Sequence, residues 1–280
     1  MSRGRTVIHT REYGTAGPVV VLLHGGPGAA GYMAPVAREL AGSFRVLEPF
    51  QRGSGAEPLT VARHVEDLQE LIERRCAGTP PAIVGHSWGA MLALAYAAER
   101  PRSAACLVLV GCGTFDPQAR EELRRICEER TGPELRRRLD RLALEVPDPD
   151  ERLRARGDLL LAVYSCEPVA SPPEVEVCDA RAHQETWDDM KRLQAEGVYP
   201  AAFAAVDVPV LMLHGADDPH PGRMIRASLT PYLSRLEYHE WERCGHYPWL
   251  ERAVREEFFS TLRGWLVGQF PREQPPEPCR

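Results

Sequence analysis

Apolar residues change their spacing several times along the chain, and each change marks an element. Residues 18–24, Pro-Val-Val-Val-Leu-Leu-His, form an unbroken apolar run that ends in Gly25-Gly26-Pro27-Gly28. That is the pattern of a strand buried on both faces that meets a glycine turn. A helix is predicted near 32–41 and a second strand from Phe44 to Glu48, followed by the turn-rich Gln51-Arg52-Gly53-Ser54-Gly55. From 60 to about 76, Val61, Val65, Leu68 and Ile72 recur at separations of 4, 3 and 4, one face of a helix with Thr60 as its N-cap. A short strand from Pro81 to His86 leads into a helix of small residues over 88–99, and Leu107 to Val110 reads as a further strand. Strands alternating with helices predict an α/β fold with a mostly parallel sheet and helices on both faces.

The alternation stops near 114. Residues 115–205 read as helical and charge-rich, without a convincing buried strand. It resumes with Val208 to His214, a helix near 222–233, a strand near 236–241 and a long amphipathic helix from Trp249 to Leu266. The chain therefore divides into a core of residues 1–113 and 207–270 and an inserted helical cap, 114–206, over the strand ends. The tail, 271–280, has four prolines in ten residues and is expected to be disordered. The cap carries eleven arginines between 120 and 156, but ten acidic residues share the interval. The stretch nearly neutralises itself and reads as solvated helix faces rather than a nucleic-acid surface.

Composition narrows the function classes. With 280 residues, 44% hydrophobic and 26% charged, the chain is an ordinary globular protein rather than a disordered or fibrous one. A net charge of −6 gives no bulk attraction to nucleic acid or anionic lipid. Lys191 is the one lysine among 34 basic residues, a skew that reflects overall composition, since phosphate binding needs clustering. No apolar run approaches the ~18 residues of a membrane span, and Met1 to Thr10 lacks the apolar core of a secretory signal. The eight cysteines form no C-x-x-C, so neither a zinc site nor a disulfide framework is read, and a reducing cytoplasm is the expected compartment.

Four segments carry chemistry. Gly85-His86-Ser87-Trp88-Gly89 matches G-x-S-x-G between a strand and a helix, where a sharp turn exposes a serine hydroxyl at the end of the sheet. His24-Gly25-Gly26-Pro27-Gly28 stands at an oxyanion-loop position, so the amides of Gly26 and Trp88 are the candidate oxyanion donors; Pro27 has no N–H. His24 precedes the turn and reads as structural. Gly215-Ala216-Asp217-Asp218 follows a strand and offers an acid, with Asp218 favoured and Asp217 the alternative. Cys244-Gly245-His246-Tyr247-Pro248 supplies the base. A serine hydroxyl is a poor nucleophile until an adjacent imidazole takes its proton, and the acid holds that imidazole in the right tautomer. The order Ser87, Asp218, His246 is the one used on α/β-hydrolase sheets. The other histidines, His9, His64, His183, His214, His220 and His239, have no comparable setting and read as surface or core residues.

These motifs resemble the α/β-hydrolase superfamily, and His24 to Gly28 with Gln51 to Gly55 is similar to its proline iminopeptidase-like branch. The likeness covers roughly 18–112 and 208–266, and one position departs from it: Phe50 stands where that branch has Asp before Gln-Arg-Gly. The resemblance implies a cofactor-independent serine hydrolase acting through an acyl-enzyme on a small ester or amide, or on a short peptide. Carboxylesterase and C–C bond hydrolase are alternatives with the same triad, and a non-catalytic ligand-binding protein is the alternative of another class. An aminopeptidase must anchor a free amine, and the resemblance implies that cap carboxylates would do so. Glu185, Trp187, Asp188 and Asp189 are the candidates by type, beside the plainer reading of a helix with an acidic face and a buried Trp187.

Overall fold

Val20 and Leu22 pack on one side of their strand, Val21 and Leu23 on the other, and both sides are buried. This is why the run reads as continuously apolar rather than alternating. The computed structural model describes residues 8–169 and 175–270. Its first half contains β1 (Thr10–Tyr13), β2 (Val19–Leu23), β3 (Ala29–Ala30), α1 (Ala34–Leu40), β4 (Arg45–Pro49), α2 (Val61–Arg75), β5 (Ala82–His86), α3 (Trp88–Glu99) and β6 (Cys106–Val110). Four helices follow, α4 (Pro117–Arg130), α5 (Pro133–Glu145), α6 (Pro149–Tyr164) and α7 (Ala180–Ala195), with β7 (Val177–Cys178) ahead of the last. The chain closes with β8 (Val210–Gly215), α8 (Gly222–Leu229), β9 (Leu236–Trp241) and α9 (Arg255–Gln269).

Seven strands form one sheet in the order β1-β4-β2-β5-β6-β8-β9, all parallel to their neighbours except β1. Side chains of α1 and α9 (Val36, Leu40, Phe258, Leu262) pack on one face with Val20, Leu22, Val84 and Val108. Those of α2, α3 and α8 (Leu68, Leu92, Ile225) pack on the other with Val21, Leu23, Ile83 and Leu109. The chain moves from β2 outward to β4, then returns to β5 on the other side of β2 and continues that way. The strand order thus reverses between β2 and β5, and the crevice above such a point is where open α/β sheets bind ligands.

Thr60 caps α2 as expected, its hydroxyl oxygen accepting from the Arg63 N–H at 3.1 Å. Five elements differ from the sequence reading. β1 was not expected: its sequence, Thr-Arg-Glu-Tyr, is polar because it is the antiparallel edge strand. Arg11 and Tyr13 on it hold the fully buried Glu48 carboxylate, with contacts of 3.0 and 2.9 Å. The last helix starts at Arg255 rather than Trp249, because Pro248–Leu250 forms a separate 3-10 turn. The helix expected to reach 233 stops at Leu229, just ahead of Pro231, which has no N–H to continue it. β3 and β7 are a two-residue antiparallel pair, too short to leave a period in the sequence. The tail expected to be disordered, 271–280, lies outside the described residues. Among the described residues no helix is long and apolar enough to cross a membrane.

Candidate active site

β5 ends at His86 and α3 begins at Trp88, so Ser87 alone makes the turn, at φ 54° and ψ −117°. A non-glycine residue at positive φ is strained, and such strain persists only where the surroundings over-determine it. They do so here. A Cβ on Gly85 would overlap the backbone of Gly89, and one on Gly89 would overlap the carbonyls of Leu23 and His24. The Ser87 N–H donates to the Val110 carbonyl at 2.8 Å. Ser87 is the one residue between 81 and 97 that is not buried. Trp88, as the first residue of its helix, has an N–H with no intrahelical acceptor.

The loops after β8 and β9 bring an acid to an imidazole. Asp218 is buried, and its Oδ2 lies 2.7 Å from His246 Nδ1. Burial alone would push the Asp218 carboxyl up, but the imidazoles of His246, His220 and His214 around it hold it well below the usual range. Burial pushes the His246 imidazole down against the pull of Asp218, so the ring is neutral near pH 7 with Nε2 unprotonated. Asp217 is only half-buried; its N–H donates to the Cys244 carbonyl, and its own carbonyl accepts from Arg130 at 2.6 Å. Of the two acids, the structure brings Asp218 to His246.

The sequence reading missed His220, which sits two positions beyond that acid. Its Nδ1 is 3.0 Å from Asp218 Oδ1, and its ring stacks on His246 with centroids 4.6 Å apart and planes at 20°. Each Asp218 oxygen therefore has an imidazole Nδ1 at hydrogen-bond distance, and His214 Nε2 lies 3.3 Å from Oδ2. Asp218, His220 and His246 offer ligand atoms within 4.8 Å of one another, close enough for a metal. Both Nδ1 atoms, however, are already committed to the carboxylate. Spacing from Asp218 could have flagged His220; only the fold shows which way its ring turns.

Gly26, at φ 43°, Ser87, His220 and His246 line one cavity of about 410 Å³ above the strand ends. α6 forms its roof through Leu153, Arg154, Arg156, Gly157, Asp158, Leu160, Leu161 and Tyr164, and α7 adds His183 and Trp187. Of the cap residues named from the sequence, Trp187 is on this wall, edge-on to Trp88 at 5.9 Å. Glu185 is not: its carboxylate accepts from the Leu59 N–H at 2.9 Å and from Arg181. Asp188 faces Lys191 and Gln184 on the outer surface. Asp189 accepts from the Val61 N–H, at the start of α2. The three acids tie the cap to the core or face solvent, whereas His183 and Trp187, four apart, share the cavity face. Phe50 also lies off the wall, packed edge-on against His9 at 4.8 Å with the Arg11 guanidinium over its ring.

A buried carboxylate joins the His246 loop to the segment that follows α6. Glu251 accepts from the N–H groups of Gly245, Cys166 and Glu167 at 3.0, 2.8 and 2.7 Å. The His246 N–H donates to the Tyr164 carbonyl, at the end of α6, at 2.7 Å.

Known proteins share this fold. The sequence model of the Alpha/beta hydrolase family matches residues 20–257. A 2-hydroxymuconate semialdehyde hydrolase from Pseudomonas sp. is 26% identical over 95% of this chain and 91% of its own length. A proline iminopeptidase from Lactobacillus helveticus is 25% identical over 89% of this chain and 90% of its own. Among solved structures, a thermophilic esterase from Thermogutta terrifontis superposes with a TM-score of 0.63 at 21% identity, covering 94% of each chain.

Proposed function

The chain belongs to the Alpha/beta hydrolase family, and from that membership we propose that it is a serine hydrolase of small acyl substrates. One observation carries the reading: a strained, half-buried Ser87 shares a cavity wall with His246, whose other nitrogen is 2.7 Å from a buried carboxylate. In this mechanism the Ser87 oxygen attacks the substrate carbonyl while its proton passes to His246 Nε2. Asp218 keeps Nδ1 protonated and stabilises the imidazolium. The oxyanion faces the Gly26 and Trp88 N–H groups, a pair whose members are worth about 2.7–4 kcal/mol each in a comparable enzyme. Collapse expels the leaving group with the proton from His246, and water repeats the sequence on the acyl-enzyme.

The wall bears on the substrate. Leu153, Leu160, Leu161, Val175 and Trp187 make it largely apolar, and Arg154 and Arg156 line it too, with Asp158 as the one carboxylate among the described lining residues. Arg154 is occupied by the carbonyls of Val175 and Glu176; Arg156 makes no ion pair among the described residues. This setting suits neutral or anionic esters better than the free amine of an aminopeptidase substrate. A fluorophosphonate probe should label the wild type and not Ser87→Ala, and a short acyl ester should be turned over faster than a prolyl arylamide. Labelling that persists in Ser87→Ala would remove Ser87 from the mechanism, and preferential cleavage of the arylamide would restore the peptidase.

A further inference from the structure

Gln51 opens the motif Gln51-Arg52-Gly53-Ser54-Gly55, whose Ser54 fastens the core to the cap through Asp179. Gln51 itself turns the other way and makes three hydrogen bonds around the oxyanion loop. We propose that Gln51 is a positioning residue of the oxyanion hole, acting through His24 to aim the Gly26 N–H into the cavity; this rests on the serine-hydrolase reading above.

Donor and acceptor rules fix each step. The Trp88 indole N–H can only donate, so the atom 2.7 Å from it is Gln51 Oε1, and the Gln51 amide nitrogen then donates to the His24 carbonyl at 2.8 Å. The Gln51 backbone N–H, also only a donor, meets His24 Nε2 at 3.1 Å. Nε2 must therefore hold the lone pair, and the proton of the neutral ring sits on Nδ1, 3.0 Å from the Gly25 carbonyl oxygen. Burial pushes His24 down to about 4, so the ring stays in this single neutral form at ordinary pH. In a trans peptide the C=O and N–H point in opposite directions. A Gly25 carbonyl held by His24 thus turns the Gly26 N–H to the other side.

The preceding peptide is held as well. The Gly25 N–H donates to the Tyr32 hydroxyl at 2.6 Å, and that hydroxyl lies 2.7 Å from His86 Nδ1. His86 Nε2 is 2.9 Å from the His246 carbonyl and so carries the ring proton, which leaves Nδ1 to accept from Tyr32. Of the four polar atoms in the two peptides flanking Gly25, three are committed. The fourth, the Gly26 N–H, makes no hydrogen bond among the described residues. The same glutamine side chain touches Trp88, the source of the second donor, so both halves of the hole are set from one residue.

The test uses the full-length protein with Gln51→Leu and the near-isosteric Gln51→Glu, which can still accept from Trp88 but cannot donate to His24. Active sites are counted with the fluorophosphonate, and ester turnover is expressed per labelled site. Removing one oxyanion donor outright costs roughly 10²–10³ in kcat, so misaiming it should lower kcat per site by about tenfold to a hundredfold with KM within about twofold. A merely structural glutamine would reduce the number of labelled sites and leave kcat per site alone. A fall of less than about threefold per site in whichever variant folds would overturn the proposal. Nitrogen-15 spectra of the wild type read the tautomer without reference to catalysis: His24 should be protonated at Nδ1, and an Nε2–H form would overturn the proposal. Failure of the probe to label Ser87 in the wild type would instead remove the hydrolase reading and leave the tautomer result standing.

Discussion

His24, just before the oxyanion loop, and His64, on α2, are both buried, and burial pushes each imidazole down to about 4 from an ordinary value of 6.5. Between those values the unfolded chain binds more protons than the folded protein, so the fold loses stability as the pH falls through that window and keeps it above. Worked from the two values, each histidine should cost about 2 kcal/mol at pH 5 relative to pH 7, or about 4 kcal/mol together. His86, His214 and His246 are shifted in the same direction and can only add to the loss. Urea unfolding of the wild type and of His64→Gln at pH 7 and pH 5 isolates one contribution. The glutamine can still bond Thr186, which lies 3.0 Å from His64 Nε2, but cannot take up the proton. His64→Gln should therefore lose about 2 kcal/mol less than the wild type on acidification. Equal losses in the two proteins would refute the reasoning, whatever their relative stability at pH 7.

Asp218→Asn should lower kcat for a short acyl ester by about 10⁴ with little change in KM, the loss a triad acid shows in a comparable enzyme when its amide favours the wrong imidazole tautomer. Gly157 lies mid-helix in α6 with open space where a Cβ would sit. Gly157→Ala should raise stability by about 0.5–1 kcal/mol in urea melts, while Gly157→Phe should shorten the longest acyl chain accepted in an ester series. Arg156→Ala should raise KM for an ester bearing a terminal carboxylate and leave its neutral counterpart unchanged; equal effects on both would remove Arg156 from substrate recognition.

The central parallel strands β2, β5, β6 and β8 were legible because each is buried on both faces and reads as a nearly continuous apolar run. β1 was not, because an edge strand that feeds Arg11 and Tyr13 to a buried carboxylate looks like polar chain. The position of Ser87 followed from mechanics, since only a strand-to-helix turn flanked by glycines can carry it. The choice between Asp217 and Asp218 turned on which of two adjacent side chains points inward, and local composition does not encode that. Helical period could have sorted the cap candidates. His183 and Trp187 share the cavity face of α7, whereas Glu185 and Asp188 point elsewhere on the same helix. Gln51 depends on contacts with His24 and Trp88, far apart in the chain, which no local pattern reveals; His220, two residues from Asp218, was open to spacing, but its stacking on His246 was not.

Glu251 grips amides from two different parts of the chain at once, one beside the imidazole that would move protons and two at the foot of α6. The roof helix and the His246 loop are consequently riveted together, and prising them apart would take hydrogen-bond partners from a buried side chain. α7 and the short β3–β7 pair are pinned to the core as well, through Asp179, Glu185 and Asp189. Bulk planted beside either anchorage should therefore threaten the fold before it touches turnover.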